Sequence, residues 1–296
     1  MDRGYINIAI VKYWGKKEFN PYLIPSQGSI SLTSKNLYTD TKIEKSDVDE
    51  FYLNGIKQEG KELEKIFKFV NKVINDRESI RIISENTVPT AAGLASSASA
   101  YCALIRALNR YFNLNLTTEE MAKISTMGSG SACRSFYNMA AFDKDGNIYE
   151  VSTDLNLSML VLVVSKDKKK ISSRDAMELA KSSVIFEHWV NRANKDFEDM
   201  KEALIKNDFI KIGQIMEANT ITMHNTTFRS VPSFSFLNDK TYSAIKMIKR
   251  IRRENDVKMY FTMDAGPNVK ILYLKEDEEK ILKILNEYFE GEILLC

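Results

Sequence analysis

Histidine is nearly missing from this chain, and glycine and proline vanish over long stretches of it. Only two of the 296 residues are histidine, His188 and His224. Neither has a partner at metal-ligand spacing, which argues against a zinc site and against a serine–histidine–aspartate triad. The three cysteines, Cys102, Cys133 and Cys296, are odd in number, far apart and set among small or apolar residues. They suit reduced thiols in a cytosolic protein better than a disulfide frame. Charge of one sign is also lacking: Lys+Arg 42 against Asp+Glu 40 leaves +2, so nothing in bulk draws the chain to nucleic acid or an anionic membrane. The longest strongly apolar run, Leu157 to Val164, is too short to span a bilayer, and no secretory leader is visible. The expectation is a soluble cytoplasmic protein with no nucleic-acid or membrane partner.

What is present reads as α+β. Ile6 to Tyr13, Gly28 to Leu32 and Ile80 to Ser84 are β-branched and bounded by turn residues, as strands are. Asn54-Gly55 between short apolar runs predicts a hairpin. Lys61 to Asn75 and Ala95 to Phe112 have helical spacing, and Thr117 followed by Glu120 predicts a helix start. No proline occurs between Pro89 and Pro232, and no glycine between Gly146 and Gly213. That window holds a strand, Leu157 to Ser165, and a long helical region from Ser173 to His224. Strands at Met259 to Met263 and Val269 to Leu274 and a helix from Glu276 to Phe289 follow. A boundary near residue 154 then separates two α+β domains, 1–153 and 154–296.

Four segments offer chemistry. Val88 to Tyr101 is a small-residue turn opening onto a helix. Gly93 permits close backbone approach, and Ser96, Ser97 and Ser99 add hydroxyls where helix N–H groups lack partners, a cradle for phosphate. It lacks the spacing and lysine of a Walker loop. Ile6 to Lys16 delivers Lys12 at the end of an apolar strand, where it reads equally as a solvated surface group. Gly128-Ser-Gly-Ser-Ala-Cys-Arg-Ser135 can form a nest of N–H groups, and Arg134 offers a planar fork for carboxylate or phosphate. The plainer reading is a capped helix start with a structural arginine. Asp264, ahead of Ala-Gly-Pro-Asn268, is a turn-former or a catalytic base. Two anion-binding loops, a lysine and an aspartate together point to phosphoryl transfer.

As a set, the strings N-I-A-x-x-K-Y-W-G-K, P-T-A-A-G-L-A-S-S-A-S, G-S-G-S-A-x-R-S and T-x-D-A-G-P-N resemble the mevalonate diphosphate decarboxylase family of the GHMP-kinase superfamily. Ser172 to Met177 and the Met223-His224 pair resemble bacterial members most. The resemblance implies a ribosomal-protein-S5-like N-terminal domain, a ferredoxin-like C-terminal domain and a homodimer. It also implies ATP and Mg²⁺, with mevalonate 5-diphosphate giving isopentenyl diphosphate, carbon dioxide, ADP and phosphate. On it, Asp264 serves the tertiary 3-hydroxyl, Lys12 stabilises charge beside it and Arg134 holds the substrate carboxylate. Tyr13, Trp14, Gly15, Lys16, Ser129, Gly130, Ser131, Ser173, Arg174 and Met177 complete the substrate pocket. Pro89, Ala92, Gly93, Leu94, Ala95, Ser96 and Ser97 hold the nucleotide, with Mg²⁺ carried mainly on its phosphates and Ser97 the one side chain offered to the metal. Departures are Tyr5-Ile6 for His-Thr, Gln27 for asparagine and Asn138-Met139 for a glycine pair. The rival readings are a 5-phosphomevalonate decarboxylase, a mevalonate-type kinase and a non-catalytic nucleotide-binding relative.

Overall fold

The computed structural model describes residues 1–19, 21–87, 96–167 and 170–296. The first half runs β1 (Asp2–Val11), β2 (Lys16–Phe19), β3 (Leu23–Pro25), β4 (Ser29–Lys45), β5 (Glu50–Leu53), β6 (Ile56–Gln58), α1 (Gly60–Val73), β7 (Ile80–Asn86), α2 (Ser96–Tyr111) and α3 (Thr118–Ser125). A short 3-10 helix, Ala132–Phe136, then leads into β8 (Met139–Phe142) and β9 (Ile148–Glu150). Strand β4 is far longer than the stretch read from sequence. Its length lets it pair with β1, β7 and β8, and it anchors a sheet ordered β6-β5-β7-β4-β8-β9, with β1 also on β4. Asn54 and Gly55 both take positive φ, 50° and 76°, as the two-residue turn between β5 and β6 requires. Thr117 and Glu120 close a reciprocal capping box at the start of α3.

The second half runs β10 (Leu157–Val163), α4 (Ser173–Ala180), α5 (Phe186–Ile205), α6 (Phe209–Phe228), α7 (Asp239–Asn255), β11 (Met259–Met263), β12 (Val269–Leu274), α8 (Glu278–Tyr288) and β13 (Glu292–Leu295). Its sheet is ordered β11-β12-β10-β13 with every neighbour antiparallel, the ferredoxin-like arrangement. The single long helical region read from sequence is three helices. The chain turns between α5 and α6 at Asn207, where φ is 54°. Two elements of this half escaped the sequence reading. Helix α7 is mostly polar and buries only Thr241, Ala244, Ile248 and Ile251. Strand β13 has just four residues.

Helices α5 and α6 occupy the space between the two sheets. Ile8, Ile10 and Ile30 of the first sheet share one apolar cluster with Phe197 and Met200 of α5, Ile212 and Met216 of α6, and Tyr260 and Leu272 of the second sheet. Helix α2 covers the other face of β1. With both faces covered, β1 has no solvent side, and Asn7 to Val11 are all buried.

Candidate active site

That double cover decides the first open question. Lys12, just beyond β1, is 2% exposed, so the surface reading of this lysine fails. Its alternation with apolar residues marked a second buried face, not a wet one. Burying an ammonium demands a partner, and Lys12 Nζ donates to Asp264 Oδ1 at 2.7 Å. Asp264 stands in the turn between β11 and β12, so this bond joins the two halves of the chain. Its second oxygen lies 3.2 Å from Lys270 Nζ, an ammonium 0% exposed.

Helix α6 holds both members of the pair by their backbones. Asn219 Oδ1 accepts the Lys12 N–H at 2.8 Å. Its neighbour Thr220 donates Oγ1 to the Met263 carbonyl at 2.9 Å and accepts the Met263 N–H at 3.1 Å. Two consecutive helical residues thus fix the chain at Lys12 and immediately before Asp264. Asn219 in turn donates Nδ2 to Asp196 of α5 at 2.9 Å.

A cavity of about 700 Å³ opens onto this pair. Its wall includes Lys12, Tyr13, Trp14, Lys16, Ser129, Gly130, Ser131, Arg134, Asp264 and, from α4, Ser173, Arg174 and Met177. Ser96 and Ser97 reach it from the first turn of α2, and Ser97 Oγ lies 3.5 Å from Ser129 Oγ. The two serine-bearing segments therefore meet at one end of the cavity. Pro89, Ala92, Gly93, Leu94 and Ala95 lie outside the described residues.

Gly15 is not on the wall. Its φ of +155° and the Gln27 Oε1 and Ser26 Oγ atoms 3.0 Å from where a Cβ would stand leave no room for a side chain, so its role is in the backbone. Trp14 touches the cavity but is chiefly a wedge between the halves. It donates Nε1 to Thr226 Oγ1 at 3.0 Å and accepts the Trp189 indole N–H on its carbonyl at 2.9 Å.

Arg134 is 3% exposed in the 3-10 helix. It donates Nη1 to Ser29 Oγ and Nη2 to Asn7 Oδ1, while Nε has no protein partner. The Tyr13 hydroxyl is likewise buried without a partner, and the Arg134 guanidinium lies 5.6 Å from its ring centroid. Buried donors left open beside a cavity are places for a ligand to complete. Among the described residues, no cluster of three histidines, cysteines or carboxylates is arranged to hold a metal. The wall instead offers hydroxyls and the carboxylates of Asp167 and Asp175 to a hard cation that arrives on phosphate.

Electrostatics follow from burial and crowding. Burial, helped by the charges of Lys270 and Arg134, draws Lys12 down to about 8 against the pull of Asp264. Burial would raise the Asp264 carboxyl, yet the Lys12 and Lys270 charges and hydrogen bonds hold it well below the usual carboxylate range. Burial, then the Lys12 charge, takes His224 of α6 down to about 3, so this ring is neutral beside the pair. Burial followed by the Arg174 charge lowers Lys16.

Sequence reading missed Lys270, Asn7, Asn219, Thr220 and Lys65, the last a wall residue from α1. The signal available for Lys270 and Asn7 was a lone polar residue within an apolar element; Asn219 and Thr220 sit among other polar residues of α6 and gave no such signal. Lys65, on an exposed helix face, gave none.

Comparison with known proteins agrees over the whole length. A family model described as the diphosphomevalonate decarboxylase-like N-terminal domain matches residues 4–152, and one for the mevalonate 5-diphosphate decarboxylase C-terminal domain matches residues 159–293. The diphosphomevalonate decarboxylase of Debaryomyces hansenii is 33% identical over 318 residues, covering 96% of this chain and 81% of that protein. Mevalonate pyrophosphate decarboxylase from Streptococcus pyogenes superimposes with a TM-score of 0.92 at 39% identity, covering 100% of this chain and 96% of the other. MDDEF, solved in complex with MVAPP, AMPPCP and magnesium, superimposes with a TM-score of 0.90 at 34% identity, covering 99% of this chain and 97% of the other. With both halves matched and the cleft between them built from both, the chain belongs to the diphosphomevalonate decarboxylase family.

Proposed function

We infer that this chain catalyses the ATP-dependent decarboxylation of mevalonate 5-diphosphate to isopentenyl diphosphate, carbon dioxide, ADP and phosphate. The observation that carries the reading is the Lys12–Asp264 pair at 2.7 Å, facing a cavity that also receives Arg134 and the serines of two anion-binding segments. Hydroxide is a poor leaving group, so the tertiary hydroxyl first takes the γ-phosphoryl group of ATP. Asp264 accepts a hydrogen bond from that hydroxyl, orients it in line and takes its proton as the oxygen–phosphorus bond forms and the bond to ADP breaks, and Lys12 offsets the charge that develops on its oxygen. The C–O bond then breaks, its electrons leaving with phosphate. The C–C bond to the carboxylate supplies the new double bond as carbon dioxide departs. Arg134, on the cavity wall, holds the carboxylate by charge and hydrogen bonding, without a covalent trap.

Lys16, Arg174 and the hydroxyls of Ser129, Ser131 and Ser173 take the diphosphate end, supported by their shared wall. Tyr13, Gly130 and Met177 shape the rest of the pocket, Gly15 supports it through its backbone, and Trp14 seals it. Ser96 and Ser97, together with the segment Pro89 to Ala95, take the ATP phosphates. Mg²⁺ held on those phosphates neutralises charge there, with Ser97 and the wall carboxylates as oxygen donors. The two units, 1–153 and 154–296, contribute the anion loops and Asp264 respectively. On the family resemblance we also place the chain in the cytoplasm as a homodimer, and among bacterial members, this last grouping supported by the 39% identity to the Streptococcus pyogenes structure.

The test offers mevalonate, its 5-phosphate and its 5-diphosphate separately with ATP and Mg²⁺, following ADP and carbon dioxide together. Equal release on the diphosphate alone is expected. ADP without carbon dioxide makes the chain a kinase, and carbon dioxide mainly from the monophosphate moves the substrate.

A further inference from the structure

Asp264 is clasped by two lysines, and the family reading uses only one. Lys12 reaches Oδ1 at 2.7 Å from the first half, and Lys270, the second residue of β12, reaches Oδ2 at 3.2 Å. The Lys270 side chain is 0% exposed and does not border the cavity, whereas 22% of the Asp264 side chain is open to it. Lys270 Nζ donates a hydrogen bond to the Asn268 carbonyl, 3.3 Å away and two residues back in the chain.

Stability does not account for such a lysine. Lys12 already neutralises Asp264, so Lys270 adds a second ammonium to a buried cluster that also holds Arg134. Methionine or leucine would fill β12 without desolvating a charge, and exchanges of that kind are often neutral or stabilising. What Lys270 does supply is geometry. A carboxylate has about four lone-pair sites. With an ammonium against each oxygen, the carboxylate is held between two charges and its other lone-pair sites are left for a ligand.

We propose that Lys270 is a positioning residue for the reaction, locking the Asp264 carboxylate opposite the substrate hydroxyl. This rests on the decarboxylase reading and deepens it. The charged and titratable groups around the clasp come from every neighbouring element. They are Lys12 beyond β1, Arg134 in the 3-10 helix, His224 on α6, and Cys296 at the C-terminus, whose thiol burial pushes up to about 12. His224 and Cys296 are neutral at working pH, so removing the Lys270 charge acts on Asp264 and Lys12. It moves the proton affinity of both in one direction, upward.

The test is Lys270→Met, with Lys270→Gln as a second variant that keeps a donor without the charge. Each is compared with the unmodified full-length protein on ATP, Mg²⁺ and mevalonate 5-diphosphate. We expect kcat to fall on the order of 10- to 100-fold in Lys270→Met, the cost of a mispositioned reacting group. KM for the diphosphate should change by less than about 3-fold, since Lys270 does not touch the cavity. Both limbs of the kcat/KM profile should move to higher pH, the Tm should not drop, and Lys270→Gln should recover part of kcat. Wild-type kcat and unshifted limbs in either folded variant would overturn the proposal, as would failure of both variants to fold, which would make Lys270 structural. No ADP or carbon dioxide from the unmodified protein would instead remove the decarboxylase reading itself.

Discussion

Lys12 sets the pH dependence expected at the residue scale. The proposed mechanism needs an ammonium beside the reacting hydroxyl, and burial together with Lys270 and Arg134 brings the Lys12 pKa to about 8. A lowered amine pKa means the charge is present below that value and lost above it. The alkaline limb of kcat/KM, which reports the free enzyme, is therefore expected near pH 8 and not in the ordinary lysine range. A limb that stays above pH ~10 would remove Lys12 from this role. No limb in the usual histidine range is expected, because His224 is held at about 3. The residue types at the site were legible in the sequence, but their meeting was not. Lys12 and Asp264 are 252 positions apart, and each had a plain alternative as a surface lysine or a turn-former. Lys270 was invisible because Val-Lys-Ile-Leu-Tyr-Leu reads as one apolar strand with a tolerated charge, and only its burial beside Asp264 gives it a role.

Among the elements, α6 matters most to the site, although its sequence gave the least notice of it. Buried Asn219, Thr220, Thr226 and Thr227 make it look like an indifferent helix. Yet Asn219 and Thr220 bond the backbones at Lys12 and Met263. Replacing Asn219 by leucine orphans the Lys12 N–H and takes one partner from Asp196, which keeps Arg192 at 2.7 Å. A buried group left unpaired costs roughly 1–3 kcal/mol. Asn219→Leu should lose about that much in denaturant unfolding and lower kcat as well, whereas an exposed α6 substitution such as Lys211→Ala should do neither. Equal stability of Asn219→Leu and the unmodified chain would show that α6 does not tether the site. Elements with a strong period or a turn signature, such as the β5–β6 hairpin and the α3 cap, were readable because their cause is local. The division of the helical window, helix α7 and strand β13 depend on packing against distant residues, which no local pattern reports.

At the scale of the molecule, the two halves share a core. The cluster joining Ile8, Ile10 and Ile30 to Phe197, Met200, Ile212 and Met216 crosses between them, and the Trp189 N–H is bonded to the Trp14 carbonyl. One cooperative unfolding is therefore expected. Tryptophan fluorescence, which reports the junction, and far-UV circular dichroism, which reports both sheets, should give coincident denaturant midpoints. Separated midpoints would mean that the halves are independent. A fragment of residues 1–153 should not fold alone, since it lacks the α5 and α6 cover over β1.

The central claim is that Asp264 acts at the hydroxyl before any carbon–carbon bond breaks. The measurement is parallel release of ADP and carbon dioxide by Asp264→Asn, with mevalonate 5-diphosphate affinity followed by calorimetry. Both products should fall together, by about 10²–10⁴-fold, with affinity largely kept. Retention of more than about a tenth of the rate, or ADP release that continues while carbon dioxide stops, would contradict it.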